Sequence, residues 1–216
     1  MLEKMGEFFD SRLDIYDEHQ LTAIEGAREF YPFTASLLPT HPRARVLDLG
    51  CGTGLELEWY FRRNPTARVT GIDLAHGMLQ ALREKFRERD IELICGSYFE
   101  VPLGRNRFDA AVSVESLHHF TQEQKIALYR RVRDALAPDG YLILTDYFAR
   151  TEEEEAQLRG ELARLRREQG AGDDEPYHFD CPLTVPHETE ALLAGGFASV
   201  EKLSSWGSTA TLKARP

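Results

Sequence analysis

The stretch Arg45–Glu56, RVLDLGCGTGLE, decides how the whole chain is read. With Ala44, its first half is a short apolar run ending in glycine, the pattern of a buried strand. Gly50, Gly52 and Gly54 then bend the backbone sharply and let a ligand lie against it, and LELEWYFRR (55–63) continues as an amphipathic helix. Strand, glycine turn and helix make a cradle that suits either of two nucleotide cofactors. A dinucleotide fingerprint needs G-x-G-x-x-G, whose third glycine lets the helix pack beside a pyrophosphate. Here position 55 is Leu, and Asp48 and Glu56 flank the turn with negative charge. Those acids favour a ligand carrying an amine or a cation over one carrying two phosphates. A nucleoside-triphosphate loop is excluded, because no Gly-Lys-Ser/Thr follows the turn.

Downstream the alternation repeats. ARVTGID (67–73), IELIC (91–95), FDAAVSV (108–114) and YLILTDY (141–147) read as strands, with HGMLQALREKFRER (76–89) and TQEQKIALYRRVRDALAPDG (121–140) as helical segments between them. In the second segment Thr121 and Gln124 form a capping box, and Ile126, Tyr129, Val132 and Leu136 share one face. Pro138–Gly140 turns the chain into the next strand. Thr151 and Glu154 make a second capping box at the head of TEEEEAQLRGELARLRREQ (151–169), whose early acids and later arginines suit the helix dipole. A loop over 170–182, a short helix over 185–196 with Pro186 in its first turn, and two antiparallel strands split by Gly207 complete the pattern. The fold expected is a doubly wound α/β, three-layer α/β/α. Its seven-stranded sheet is mostly parallel, with an antiparallel C-terminal edge hairpin. Residues 1–40 are expected to form an N-terminal helical cap, with Pro32 kinking LTAIEGAREFYPFTASLL (21–38). Residues 41–216 form the α/β domain, and 151–183 a helical and loop insertion near the site.

Composition excludes several classes. Lys and Arg number 26 against 36 Asp and Glu, a net charge of −10, which disfavours nucleic acid and anionic lipid. No stretch approaches the roughly 20 apolar residues that span a bilayer, so a cytoplasmic protein is expected. Cys51, Cys95 and Cys181 are odd in number and lack a Cys-x-x-Cys pair, which points to incidental or buried thiols.

VLDLGCGTG (46–54), GID (71–73) and FDAAVSVESLHHF (108–120) together resemble the class I S-adenosylmethionine-dependent methyltransferases, over residues 40–150. The resemblance implies that Asp48, Gly50, Cys51, Gly52, Thr53 and Gly54 approach the methionine portion of S-adenosylmethionine. It also implies that Asp73 accepts hydrogen bonds from both ribose hydroxyls, a task suited to a carboxylate with several lone pairs. Leu74 and Met78 are then expected on the adenine. Ser97 and Tyr98 stand where the family commonly has Gly-Asp before an apolar residue, a weaker acceptor joined to a ring that can stack. Val114, Glu115 and Tyr16 complete the expected cofactor set.

Transfer of an already activated methyl group chiefly needs alignment and exclusion of water. A hydroxyl or protonated amine acceptor must also lose a proton, and His is the side chain suited to that at neutral pH. VESLHHF therefore makes His118 and His119 the expected catalytic residues. Asp146, Tyr147, Tyr177, His178 and His19 are expected around a small organic acceptor, in which oxygen or nitrogen receives the methyl group. His178 and Asp180, two apart on an extended stretch, would point the same way. No metal is expected, because adjacent His118 and His119 lack the helical i,i+4 spacing of metal ligands. The segment holding Phe8, Phe9, Tyr16 and His19 reads either as a cover over the site or as a plain packing helix. A monomer or homodimer is expected. The alternatives to a small-molecule enzyme are a non-catalytic module that binds the same cofactor, a methyltransferase acting on a protein, and a nicotinamide-dependent oxidoreductase disfavoured by Leu55.

Overall fold

The computed structural model describes residues 2–172 and 176–216, so Asp173–Glu175 of the expected 170–182 loop lie outside the described residues. Seven strands form one sheet in the order β4-β3-β2-β5-β6-β9-β8: β2 (Arg45–Leu49), β3 (Arg68–Asp73), β4 (Asp90–Cys95), β5 (Phe108–Val114), β6 (Leu136–Tyr147), β8 (Ser199–Trp206) and β9 (Thr209–Arg215). The first five are parallel, and β9 and β8 run antiparallel at the edge, as expected. Side chains alternate along the central strands and supply two cores. Leu47, Ala111, Leu142 and Leu144 face helices α6 (Gln122–Ala135) and α8 (Val185–Ala194), whereas Val46, Ala110, Val112 and Ile143 face α3 (Ala27–Ser36) and α4 (Leu55–Arg63). Helix α5 (His76–Lys85) completes the second face through Leu79 and Leu82.

Several local features follow directly from sequence. The Thr121–Gln124 capping box is present in both halves, and Pro186 sits in the first turn of α8. At α7 (Glu152–Gln169) Thr151 accepts from the Glu154 N–H, but Glu154 Oε2 turns to the Arg150 N–H, at 2.7 Å, so the second box is not reciprocal.

The expected boundaries needed three corrections. The break in residues 21–38 falls at Ile24–Gly26, where Ile24 is extended and Gly26 takes φ +78°, and α3 runs unbroken through Pro32. Pro32 removes one helical bond, while buried Phe30, Tyr31, Thr34 and Ala35 hold the helix on the sheet. α5 stops at Lys85 rather than Arg89, because β4 already pairs from Asp90 with Arg68. α6 stops at Ala135, since Leu136 is extended and pairs with Phe108. The register then jumps to Tyr141 opposite Ala110, so Ala137–Gly140 bulges out where a turn was expected.

At the N-terminus α1 (Met5–Asp10) and α2 (Leu13–Ala23) lie over one end of the sheet. β1 (Glu3–Lys4) pairs antiparallel with β7 (Tyr177–His178). No helix among the described residues is long and apolar enough to cross a membrane.

Candidate active site

Four strand ends converge on one edge of the sheet. The glycine turn leaves β2, Asp73 ends β3, Glu115 and Ser116 follow β5, and Asp146 and Tyr147 lie at the end of β6. This is the carboxyl edge at the switch point between β2 and β5, where open α/β sheets bind ligands. Gly50, Gly52 and Gly54 take φ of +74°, +47° and +74°, a region that side chains resist. A Cβ on Gly50 would overlap Ser116 Oγ, and one on Gly54 would press on Phe86, whereas one on Gly52 would meet only Tyr16, from 3.7 Å. Gly52 is thus the glycine that opens on the cleft.

Asp73 sits beside it. Its Oδ2 accepts from the Gly52 N–H at 2.9 Å and its Oδ1 from the Ala75 N–H at 2.8 Å. A carboxylate offers about four acceptor positions, so both oxygens retain room for a hydroxyl donor. Burial pushes its pKa up against the pull of these backbone bonds. Beneath the turn, Asp48 and Glu56 are both buried, and burial, for Asp48 joined by the neighbouring Glu56, raises their pKa. Asp48 Oδ2 and Glu56 Oε1 have no hydrogen-bond partner. Both carboxyls lie beneath the turn rather than in the cleft lining, and their raised pKa values leave the pair with less negative charge than two free carboxylates.

The cleft is walled by Gly50, Gly52, Asp73, Leu74, Met78, Tyr98 and Glu115, and roofed by Met5, Phe9 and Tyr16. Asp10 Oδ1 accepts from the Gly77 N–H at 2.8 Å, and Asp17 holds both the Thr53 hydroxyl and, at 2.9 Å, Lys85 Nζ, fastening α1 and α2 to the rim. The space enclosed is about 40 Å³. Small-molecule sites span roughly 300 Å³ or more, so the cleft as it stands is smaller than a nucleoside-sized ligand needs.

Tyr16, Phe9, Glu115 and His119 also line a second cavity, of about 560 Å³. Four of the chain's seven histidines line it, His19, His118, His119 and His178, together with Tyr147 and Asp180. A 3₁₀ turn, Leu117–His119, carries the first pair. Buried Asp146 fixes that turn, its Oδ2 accepting from the Leu117 N–H at 2.8 Å and its Oδ1 lying 2.5 Å from His118 Nδ1. Burial lowers the His118 pKa, but the charge and hydrogen bond of Asp146, with Asp180, outweigh it and hold the imidazole well above its usual range. Burial and the neighbouring His118 charge push His119 down, and burial takes His178 down to about 4. Burial would raise Asp180, yet hydrogen bonds from both histidines hold it far below the carboxylate range. Glu115 takes φ +49°, and burial followed by the Asp146 charge pushes it up to about 7.

The other expected residues fall outside the two cavities. Cys51 is buried against Gly71, Val114 is in the sheet core, and Ser97 Oγ accepts from the Phe99 N–H at 3.2 Å. Asp146 lies behind His118. Tyr177 pairs with Lys4 and packs toward Leu2, Leu162 and Cys181, lining neither cavity. Sequence reasoning missed Met5 and Thr209. Met5 stands four before Phe9, one face of a helix, which was a usable signal. Thr209, whose hydroxyl donates to Glu115 Oε1 at 3.0 Å, left none.

Residues 46–140 match the family described as a methyltransferase domain. The chain is 31% identical to malonyl-acyl-carrier-protein O-methyltransferase of Geobacter sulfurreducens, over 73% of this chain and 57% of that protein. It is 33% identical to phosphoethanolamine N-methyltransferase 3 of Arabidopsis thaliana, over 57% of this chain and 24% of that one. It therefore spans from a quarter to just over half the length of these curated relatives. Among solved structures, the DhpI–SAH complex superposes with a TM-score of 0.71 at 19% identity, covering 97% of this chain and 94% of the other, a likeness of fold. The glycine turn, the strand order and these matches together make residues 46–140 similar to a methyltransferase domain, set in a fold that the DhpI–SAH structure shares.

Proposed function

We propose that the protein transfers a methyl group from S-adenosylmethionine to an oxygen or nitrogen atom of a small molecule. The observation that carries this is the Asp73 carboxylate beside Gly52, in a cleft that shares Glu115 and His119 with a second, histidine-lined cavity. Bound S-adenosylmethionine supplies a methyl group already activated on a sulfonium. Asp73 takes the ribose hydroxyls, and Leu74 and Met78 support the base with Tyr98 at its edge. The acceptor lies in the larger cavity among Tyr147, His178 and His19. His119, whose imidazole is held neutral, takes the acceptor's proton as the methyl group moves, and the charged His118 positions it. Residues 1–40 act as a cap whose Met5, Phe9 and Tyr16 exclude water once the cofactor is in place, and 151–183 contributes the far wall.

Calorimetric titration tests the cofactor assignment. S-adenosylmethionine is expected to bind and NAD to bind far less well, and Asp73→Ala is expected to weaken binding by about 2–4 kcal/mol while the protein stays folded. Tight NAD binding with no heat from S-adenosylmethionine overturns the proposal.

A further inference from the structure

His118, His119 and Asp180 bring one donor atom each to within 4.8 Å of the others, in the wall of the acceptor cavity. We propose that these three residues hold a divalent first-row transition-metal ion there. The inference rests on the methyl-transfer reading only for the use of the cavity, and it names how the acceptor is activated.

Geometry comes first. Asp180 Oδ1 lies 3.5 Å from His118 Nε2 and 3.2 Å from His119 Nδ1. Two donors each about 2.1 Å from a tetrahedral ion stand about 3.4 Å apart, so both histidine–carboxylate pairs already have the spacing of ligands on one ion. Adjacent residues of a 3₁₀ turn point about 120° apart, so their spacing alone is no sign of a shared ligand. The two rings meet, centroids 4.0 Å apart, because His118 reaches Asp180 with its far nitrogen and His119 with its near one.

The supporting residues point the same way. Asp146 holds His118 Nδ1 and is itself fixed by the Leu117 N–H. A carboxylate on the remote nitrogen fixes the tautomer, presents Nε2 to the cation and raises its basicity, the usual support of a metal-binding imidazole. His119 Nδ1 also faces the Phe179 carbonyl at 3.2 Å, and the cation displaces the proton at that nitrogen and the one that His118 Nε2 gives to Asp180, releasing both to solvent. Imidazole and carboxylate without thiolate are donors for zinc, iron(II) or cobalt(II). Three protein ligands leave at least one position open. That position faces the cavity, where an acceptor hydroxyl or hydroxy-acid oxygen would occupy it.

The test uses the full chain without a tag, treated with chelator and titrated with zinc(II) by calorimetry and with cobalt(II) by visible absorption. One ion per chain is expected, at micromolar affinity or tighter, with a cobalt ligand-field band. Asp180→Asn and His119→Gln are each expected to weaken it at least tenfold. Asp180 is half exposed, so its replacement leaves the core untouched, and circular dichroism confirms the fold of both variants. No stoichiometric binding of either ion, or binding unchanged in both folded variants, overturns the proposal. S-adenosylmethionine affinity is read on the same wild-type sample. An ion bound without S-adenosylmethionine counts against methyl transfer alone, and the reverse counts against the metal site alone.

Discussion

The cleft and the cavity beside it are built in opposite ways. The cleft floor comes from one β2–α4–β3 unit, closed on itself by the hydrogen bond from Gly52 to Asp73. The cavity gathers Phe8 and Tyr16 from the N-terminal helices, His119 from the 3₁₀ turn, Tyr147 from β6, Asp180 from the segment after β7 and Thr209 from β9. A local unit is specified by neighbours in sequence, whereas a gathered wall is specified only by the packing that brings its parts together. On the proposed function, the chemistry common to the fold would sit on the floor and the choice of acceptor on the wall.

If floor and wall are separable, His119→Gln should lower turnover by roughly 10²- to 10⁴-fold while S-adenosylmethionine affinity stays near that of the wild type. Steady-state rates beside calorimetry check this, and a parallel fall in cofactor affinity would show that the two regions act as one. A second change probes what props the wall. Glu188, fully buried on α8, accepts from Lys125 Nζ at 2.5 Å and from the Tyr129 hydroxyl, both on α6. Glu188→Ala strands the buried Lys125 charge and should cost about 3–5 kcal/mol in denaturant unfolding. An unchanged midpoint would mean that α6 and α8 are held by their apolar contacts alone.

The smallest effect concerns α7 and α8. His187 Nδ1 lies 2.8 Å from Glu155 Oε2, and that bond, against slight burial and with the charges of Glu155, Glu152 and Glu190, raises its pKa. A raised folded pKa gives stability that is complete below the unfolded value, about 6.5, and is lost as pH rises through the folded one. His187→Ala should accordingly destabilise by at most about 1 kcal/mol at about pH 5.5 and by less at about pH 8.5. Equal losses at both pH values would assign the contact to packing.

The same contrast explains what was legible in the sequence. α4 and β5 occupy the residues that their patterns mark, because strand alternation and helical spacing are local signals. The α6–β6 boundary moved because pairing of Leu136 with Phe108, a tertiary contact, ended the helix before the Pro138–Gly140 turn. Gly52 and Asp73 line the cleft as the resemblance implied, yet Tyr177 faces away from the cavity while His178 faces it. On an extended pair only one side chain can face inward, and which one is set by pairing with Glu3 and Lys4, a register that no local pattern reveals. Asp180 was legible as a partner of His178 but not of His118 and His119, since their meeting depends on which ring nitrogen each presents.

The short β1–β7 pairing carries a consequence for kinetic order. Glu3 opposite His178 and Lys4 opposite Tyr177 join the start of the roof to the segment that bears Asp180, and the Cys181 N–H, 2.9 Å from the His118 carbonyl, joins that segment to the 3₁₀ turn. Roof and far wall are thus joined by backbone hydrogen bonds. On the proposed function, lifting the roof to admit S-adenosylmethionine would draw this wall with it, and the second cavity would be whole only once the roof is down. On the proposed methyl transfer, the expected kinetic order is therefore S-adenosylmethionine first and its demethylated form last, which product-inhibition patterns check.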